Sequence, residues 1–324
     1  MQPPLVRVLP VVAVAGLLAV AASLPVAAQA EPSASRADLL QQGEQLLGQK
    51  QYRRALAAFE EAGRAAEGGC AECLLGVSRA QTGLGKPERA AEAARAAIPL
   101  APAGPLQVRA YHQLGVALST RTGRSTEELA EAEGAYRKVL ELAGADWNVE
   151  RFNLAGLLFV VGRPAEAAAL SREYLRNAAN GVAGQEARML ICYYRMKGGA
   201  KDAPDTATPD PAADLTPPQA VFRQPAIYGP NARRAGLQGM VAVQVTVDRE
   251  GCVAQPSLMK GMGNELDTAA VETARRWVFT PAVLGTRPVS SDYIVSVTFA
   301  ADADASKDPD KAYRDRVLAA WPVQ

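Results

Sequence analysis

With 324 residues the chain exceeds what one ordinary hydrophobic core organises, so two domains with tails are expected. Apolar residues make up 48% and charged residues 21%, the balance of folded globular material. Lys and Arg number 35 against 34 Asp and Glu, and the net charge of +1 lacks the basic excess that neutralises phosphates, so nucleic acid is not an expected partner. The single histidine, His112, removes Ser-His-Asp and Cys-His catalysis from nearly the whole chain and rules out a multi-histidine metal site. No Gly-rich phosphate loop follows a strand-like run. The expectation is a protein that is not an enzyme and that holds no cofactor and no metal.

Residues 1–30 read as an export segment. Arg7 precedes an apolar run from Val8 to Leu24, and small residues close it at Ala28-Gln29-Ala30. A positive start, an apolar stretch and an Ala-x-Ala end mark a signal peptide cleaved after Ala30. The run from Val8 to Ala28 is also about long enough to cross a bilayer, which takes roughly 20 helical residues, so an uncleaved signal anchor is the alternative. Pro10, Pro25 and the Ala-rich end favour cleavage. Either way the rest of the chain leaves the cytoplasm. There Cys70 and Cys73, in Cys70-Ala71-Glu72-Cys73, can close a small disulfide. A reactive pair of this spacing opens a helix beside a strand; this one opens a helix among helices, and a structural role is expected.

Residues 36–198 are rich in Ala, Leu, Glu and Arg, with apolar residues at helical spacing and self-similarity at a period in the mid-thirties. Gly43, Gly76, Gly115 and Ala155 recur as the small residue of one helix, and Ala55, Ala90, Ala132 and Ala167 as that of the next. Phe59 and Tyr136 fill the gap between units. This pattern resembles the tetratricopeptide repeat, which implies helical hairpins stacked into an all-α solenoid with a concave binding face. A final stretch, Gln185 to Lys197, is expected as a capping helix ended by Gly198-Gly199. His112, on the first helix of the third unit, is expected as a packing or surface residue of the repeat. A Pro- and Asp-rich linker then covers 199–218. Its Lys201–Pro218 stretch is extended and solvated, with a reach on the order of 50 Å.

From 219 to 300 the period changes to two. Val241, Val243, Val245 and Val247 alternate with Ala242, Gln244 and Thr246, and Asp248 to Gly251 is a turn. Cys252 to Met259 returns as a partner strand. Leu266 to Trp277 is a helix that Asn264 is placed to cap and Pro281 stops. Tyr293, Val295, Val297 and Phe299 alternate in a last strand. With a short helix at Pro230 to Ala235, this order gives two helices on a three-stranded antiparallel sheet. Pro225, Tyr228, Pro230 to Gly236, Asp248 and Gly251, Leu266-Asp267, the run Trp277-Val278-Phe279-Thr280-Pro281-Ala282, Gly285 and Pro288-Val289 closely resemble the TonB C-terminal domain. Gly229 departs from the family, which has Pro after the Tyr, and is expected to loosen that turn.

The resemblance implies a protein partner. In the family, the short TonB box of an outer-membrane receptor adds as a strand to the sheet edge, so that main-chain bonds supply affinity. Carried over, the edge is the last strand, Asp292, Tyr293, Ile294, Val295, Ser296, Val297, Thr298 and Phe299. Gln224, Pro225 and Tyr228 lie in the adjacent turn. The expected protein is a periplasmic adaptor that binds such a receptor, or another envelope protein, while the repeats hold a second partner. Alternatives are an anchored inner-membrane transducer facing the periplasm, coupled to a proton-driven motor, and an envelope scaffold that dimerises through the sheet domain. The N-terminal segment lacks the family's histidine, which weighs against the motor. The tail, 301–324, carries a short helix after Asp308-Pro309, with Tyr313, Val317, Leu318 and Trp321 on one face, expected to dock on the protein itself.

Overall fold

The computed structural model describes residues 35–66, 69–120, 123–178, 181–199, 214–226, 228–300, 309–319 and 321–322. Residues 1–34, with the expected export segment, and residues 200–213 of the expected linker lie outside the described residues. No helix among the described residues is long and apolar enough to cross a membrane.

Among the described residues, nine α-helices come first: α1 Arg36–Gly48, α2 Tyr52–Arg64, α3 Ala71–Gly83, α4 Pro87–Ala97, α5 Pro105–Thr120, α6 Thr126–Ala143, α7 Asn148–Val160, α8 Pro164–Asn177 and α9 Val182–Met196. Local chemistry sets their starts. Ser35 with Asp38 and Ser125 with Glu128 form capping boxes, and Pro87 and Pro164 occupy first-turn positions where no amide partner is needed. The turns within the four hairpins share one device, a left-handed residue: Lys50 at φ 57°, Gly85 at 68°, Gly123 at 67° and Gly162 at 80°.

Close packing explains the small residues. A Cβ on Gly43 would stand 2.6 Å from the Phe59 ring, one on Gly76 2.3 Å from the same ring, and one on Gly115 2.5 Å from Tyr136. Each aromatic thus wedges between helices that glycine lets approach. The odd-numbered helices α1, α3, α5, α7 and α9 also touch one another in succession, whereas the even ones chiefly meet their chain neighbours. The odd helices therefore form the inner, concave layer.

The second region is built on β3 Gly239–Val247, flanked antiparallel by β4 Val253–Lys260 and β8 Ser291–Phe299. Helices α10 Pro230–Arg234 and α11 Asn264–Arg275 accompany it. Val241, Val243, Val245, Val247, Val297 and Phe299 of the sheet share one core with Leu266, Ala270, Ala274 and Phe279.

Three expectations are corrected here. Helix α11 ends at Arg275, and Trp277 follows it as a buried residue leading into β5 Val278–Thr280. Strand β5 pairs with β2 Gln219–Phe222. The end of the expected linker is a strand: β1 Leu215–Thr216 pairs with β6 Ala282–Leu284, which also pairs with β7 Arg287–Val289. Strands this short show no alternation to read. Asn264 is a helical residue; Gly263 stands at the cap, and the Asp267 carboxylate accepts from the Met262 and Gly263 amides at 2.8 and 3.1 Å.

The two regions share a core. Val278, Cys252 and residues of the C-terminal helix α12 Pro309–Ala319 cluster with Phe152, Leu190 and Ile191 of α7 and α9.

Candidate functional site: a sheet edge beside a clamped turn

Both outer strands of the β4-β3-β8 sheet are edges, and their chemistry differs. Strand β8 runs nine residues against β3 in unbroken register, from Gly239 opposite Phe299 to Val247 opposite Ser291. Val295, Val297 and Phe299 point into the core; Asp292, Ile294, Ser296 and Thr298 are exposed. No proline, lysine or bulge interrupts it. Strand β4 is blunted: its register shifts twice against β3, Gln255 sits at φ 45°, Pro256 cannot donate to a ladder, and Lys260 closes it. These are the devices by which a sheet discourages pairing. The open donors and acceptors of β8 can accept a further strand; those of β4 are poorly placed to do so.

The adjacent turn is held at the Phe299 end of that edge. The Tyr228 ring stands edge-on to Phe299 at 5.1 Å, with the Arg233 guanidinium 5.9 Å from the Tyr228 ring centre. Gln224 is buried, and its carbonyl accepts from the Trp277 indole at 3.0 Å; Pro225 is exposed. Gly229 does not loosen the turn. A Cβ there would lie 2.1 Å from a Glu265 carboxylate oxygen, and that carboxylate takes the Asn231 and Ala232 amides at 3.2 and 3.3 Å. Burial raises the Glu265 pKa, but these bonds and the Asn231 side chain outweigh it and hold the carboxyl below its ordinary range. The glycine makes room for that clasp.

At the far end of β3, the Asp248–Gly251 turn is driven into the last repeat helices. Cys192 of α9 is disulfide-bonded to Cys252. Arg172 of α8 meets Glu250 at 2.6 Å; Arg195 of α9 meets Glu250 at 3.1 Å and also pairs with Asp248. The Arg188 guanidinium donates to the Glu250 carbonyl at 3.2 Å. Asp248, Glu250 and Cys252 lie close enough together to suggest a metal site. Their carboxylates are committed to arginines and the sulfur to a disulfide, so the cluster does not fit one. Sequence reading missed this junction, because Arg172, Arg195 and Cys192 carry no local motif. The one available signal was the even cysteine count.

Cys70 and Cys73 do form a disulfide. Cys70 caps α3, its sulfur accepting from the Cys73 amide at 3.1 Å, and both residues are buried beside Leu39 and Ala62. His112 is likewise a packed residue: Nδ1 pairs with the fully buried Glu150, and Trp147 lies edge-on at 5.2 Å. His112, Leu40, Leu75, Arg79 and Trp147 wall a cavity of about 510 Å³ on the odd-helix face.

Residues 224–301 match the family described as Gram-negative bacterial TonB protein C-terminal. Protein TonB of Xanthomonas campestris pv. campestris (strain B100) is 39% identical over 77 residues, 24% of this chain and 34% of that protein. Protein TonB of Vibrio cholerae serotype O1 is 30% identical over 69 residues, 21% of this chain and 28% of that protein. The chain thus spans about a third or less of the length of these relatives. Among solved structures, the MamA protein aligns at a TM-score of 0.42 and 18% identity, covering 50% of this chain and 82% of its own. A thermophilic TPR protein of Thermus thermophilus aligns at 0.40 and 20%, covering 51% and 84%. Residues 224–301 thus match a TonB C-terminal domain, and an array of helical hairpins precedes them.

Proposed function

We propose that this chain is a non-enzymatic periplasmic adaptor whose TonB C-terminal domain takes an extended segment of a partner, of the TonB-box type carried by outer-membrane receptors, as an added strand on β8. The repeats hold a second protein on their concave face. The observation that carries this reading is the contrast between edges: β8 is long, regular and open, while β4 is broken by a proline, a left-handed residue and two register shifts. Export is supported by the pairing of all four cysteines in disulfides, a state kept by oxidising compartments.

The pairing of every native cysteine supplies the test. Ser296→Cys places a single free thiol on the open edge. A synthetic peptide from the N-terminal segment of an outer-membrane receptor is offered with one cysteine moved along its length. Strand addition in one register predicts crosslinks at the peptide position opposite residue 296 and at those two removed from it, with the positions between them silent, the side-chain period of a strand. A control thiol at Ser257→Cys on β4 is expected to stay unreacted. Crosslinks without that period, or equal at both edges, refute the reading; a disulfide joining two copies of the S296C chain points to a scaffold dimer instead.

A further inference from the structure

The concave face of the repeats is occupied along half its length by the chain itself. Along α1, α3 and α5 it opens on the cavity beside Trp147. Along α7 and α9 it is covered by the C-terminal segment. Tyr313, Val317 and Trp321 recur every four residues and are 1%, 0% and 7% exposed. The Trp321 indole rests on Gly156 of α7, where a Cβ would stand 2.4 Å from Cδ1. Its Nε1 donates to the Asn153 carbonyl at 2.7 Å, and the Arg124 guanidinium lies 5.2 Å from the ring centre. Tyr313 packs between Tyr193 of α9 and Phe222 of β2, at 6.1 and 4.8 Å between ring centres. Its hydroxyl donates to the Arg276 carbonyl at 2.9 Å. Ion pairs flank the helix, Lys197 with Asp310 at 2.6 Å and Glu186 with Arg316 at 2.9 Å.

These are the parts of a seat for a tryptophan that follows a docked helix: a slot left by a missing Cβ, an acceptor for the indole N–H, and a cation over the ring. Eleven residues are too few for α12 to hold helical order alone in water, so docking supplies its order. The three anchors are a small set, and the Lys197–Asp310 pair reaches solvent, where such pairs contribute little. What favours α12 over another helix of the same stripe is its tether, which raises its local concentration.

We propose that the α7–α9 half of the concave face is a docking site for a partner segment in which a helix bearing an aromatic–aliphatic pair at i and i+4 is followed, just past its C-terminus, by a Trp, and that α12 with Trp321 is its internal stand-in until such a segment displaces it. This rests on the reading of the repeats as a protein-holding surface, and not on strand addition at β8. Because Tyr313 also touches Phe222 and the Arg276 carbonyl, exchange removes one tie between repeats and sheet domain. Groove occupancy and the freedom of that domain are then linked reciprocally.

The probe is a synthetic peptide of residues 309–322, labelled at its N-terminus with fluorescein and titrated into the oxidised full-length chain. W321A empties the slot and is expected to bind the peptide about tenfold or more tighter than the wild-type chain. Adding G156A to W321A refills the slot and is expected to abolish the gain. D310K, which sets α12 against Lys197 and leaves the anchors in place, is expected to tighten peptide binding in the same direction. Equal binding by wild type and W321A, or a gain that survives G156A, overturns the proposal. So does the absence of binding to both W321A and D310K in proteins that melt with wild-type cooperativity.

Discussion

Gly76 and Gly134 are both helical glycines, and a methyl group added to each has opposite consequences. At Gly76 it would lie 2.3 Å from the Phe59 ring, so Gly76→Ala forces the wedge between the first two hairpins apart. Overpacking of this kind costs about 1–3 kcal/mol. At Gly134, in the interior of α6, nothing lies within 4 Å, and alanine relieves the entropic cost of glycine in a helix. Gly134→Ala is expected to stabilise by about 0.5–1 kcal/mol. Urea unfolding of the two variants should show midpoints moving in opposite directions at unchanged slope. Glu186 gives a second prediction at this scale. It is fully buried on α9, and burial raises its pKa above the ordinary carboxylate value, with Arg316 opposing. In the unfolded chain the same carboxyl titrates normally. The native state therefore binds its proton more tightly, and stability from this residue is gained as pH falls from neutral through the raised pKa to the ordinary one. Below the ordinary value the gain is complete. Glu186→Gln should remove this increment, read as the difference between the two stability curves across that window.

At the scale of elements, the two disulfides should contribute unequally. Cys70 and Cys73 are 3 residues apart, and Cys192 and Cys252 are 60 apart. A crosslink restricts the unfolded chain more as its loop lengthens, by roughly 4 kcal/mol for the long loop and under about 2 kcal/mol for the short one. The double variant C192S/C252S should lose markedly more denaturant resistance than C70S/C73S. Equal losses would mean that the long bridge adds no more than the short one to a junction already held by Arg172 and Arg195. Elements also differ in how openly the sequence announces them. The hairpins of α1–α8 were legible because Gly43, Gly76 and Gly115 recur opposite Phe59 and Tyr136, a pairing that only close helix contact requires. Strands β3 and β8 were legible from their alternation. Strands β1, β5, β6 and β7 span two or three residues; β1, β5 and β6 pair with distant segments, and β7 closes a tight hairpin with β6. Trp277 read as helical for the same reason: its apolar spacing fits a helix face, and its strand context comes from Gln219–Phe222 more than fifty residues earlier.

Across the whole molecule, the linker composition suggested two bodies on a tether, and the junction makes them one. The Cys192–Cys252 bridge, the arginines of α8 and α9 around the 248–252 turn, and α12 spanning α9 and the sheet domain act at one boundary. None of these ties is local in sequence, which is why composition pointed the other way. If a strand adds at β8, as proposed, it adds to a domain tied to the repeats at this boundary rather than to one on a loose chain. The expected signature is a single heat-unfolding transition for the oxidised chain, with calorimetric and van't Hoff enthalpies equal. Each tie is then removed in turn. Reduction cuts the covalent link, and W321A loosens α12 without touching the sheet domain directly. With both applied, the two cores, one around Phe152 and Leu190 and the other around Val243 and Phe299, retain few shared contacts and should melt separately. Two transitions in the oxidised wild-type chain would show that the shared cluster does not couple the regions. One transition in the reduced W321A protein would show that the arginine contacts with Asp248 and Glu250 suffice. Half-buried ion pairs of that kind resist screening, so salt should then leave the single transition intact.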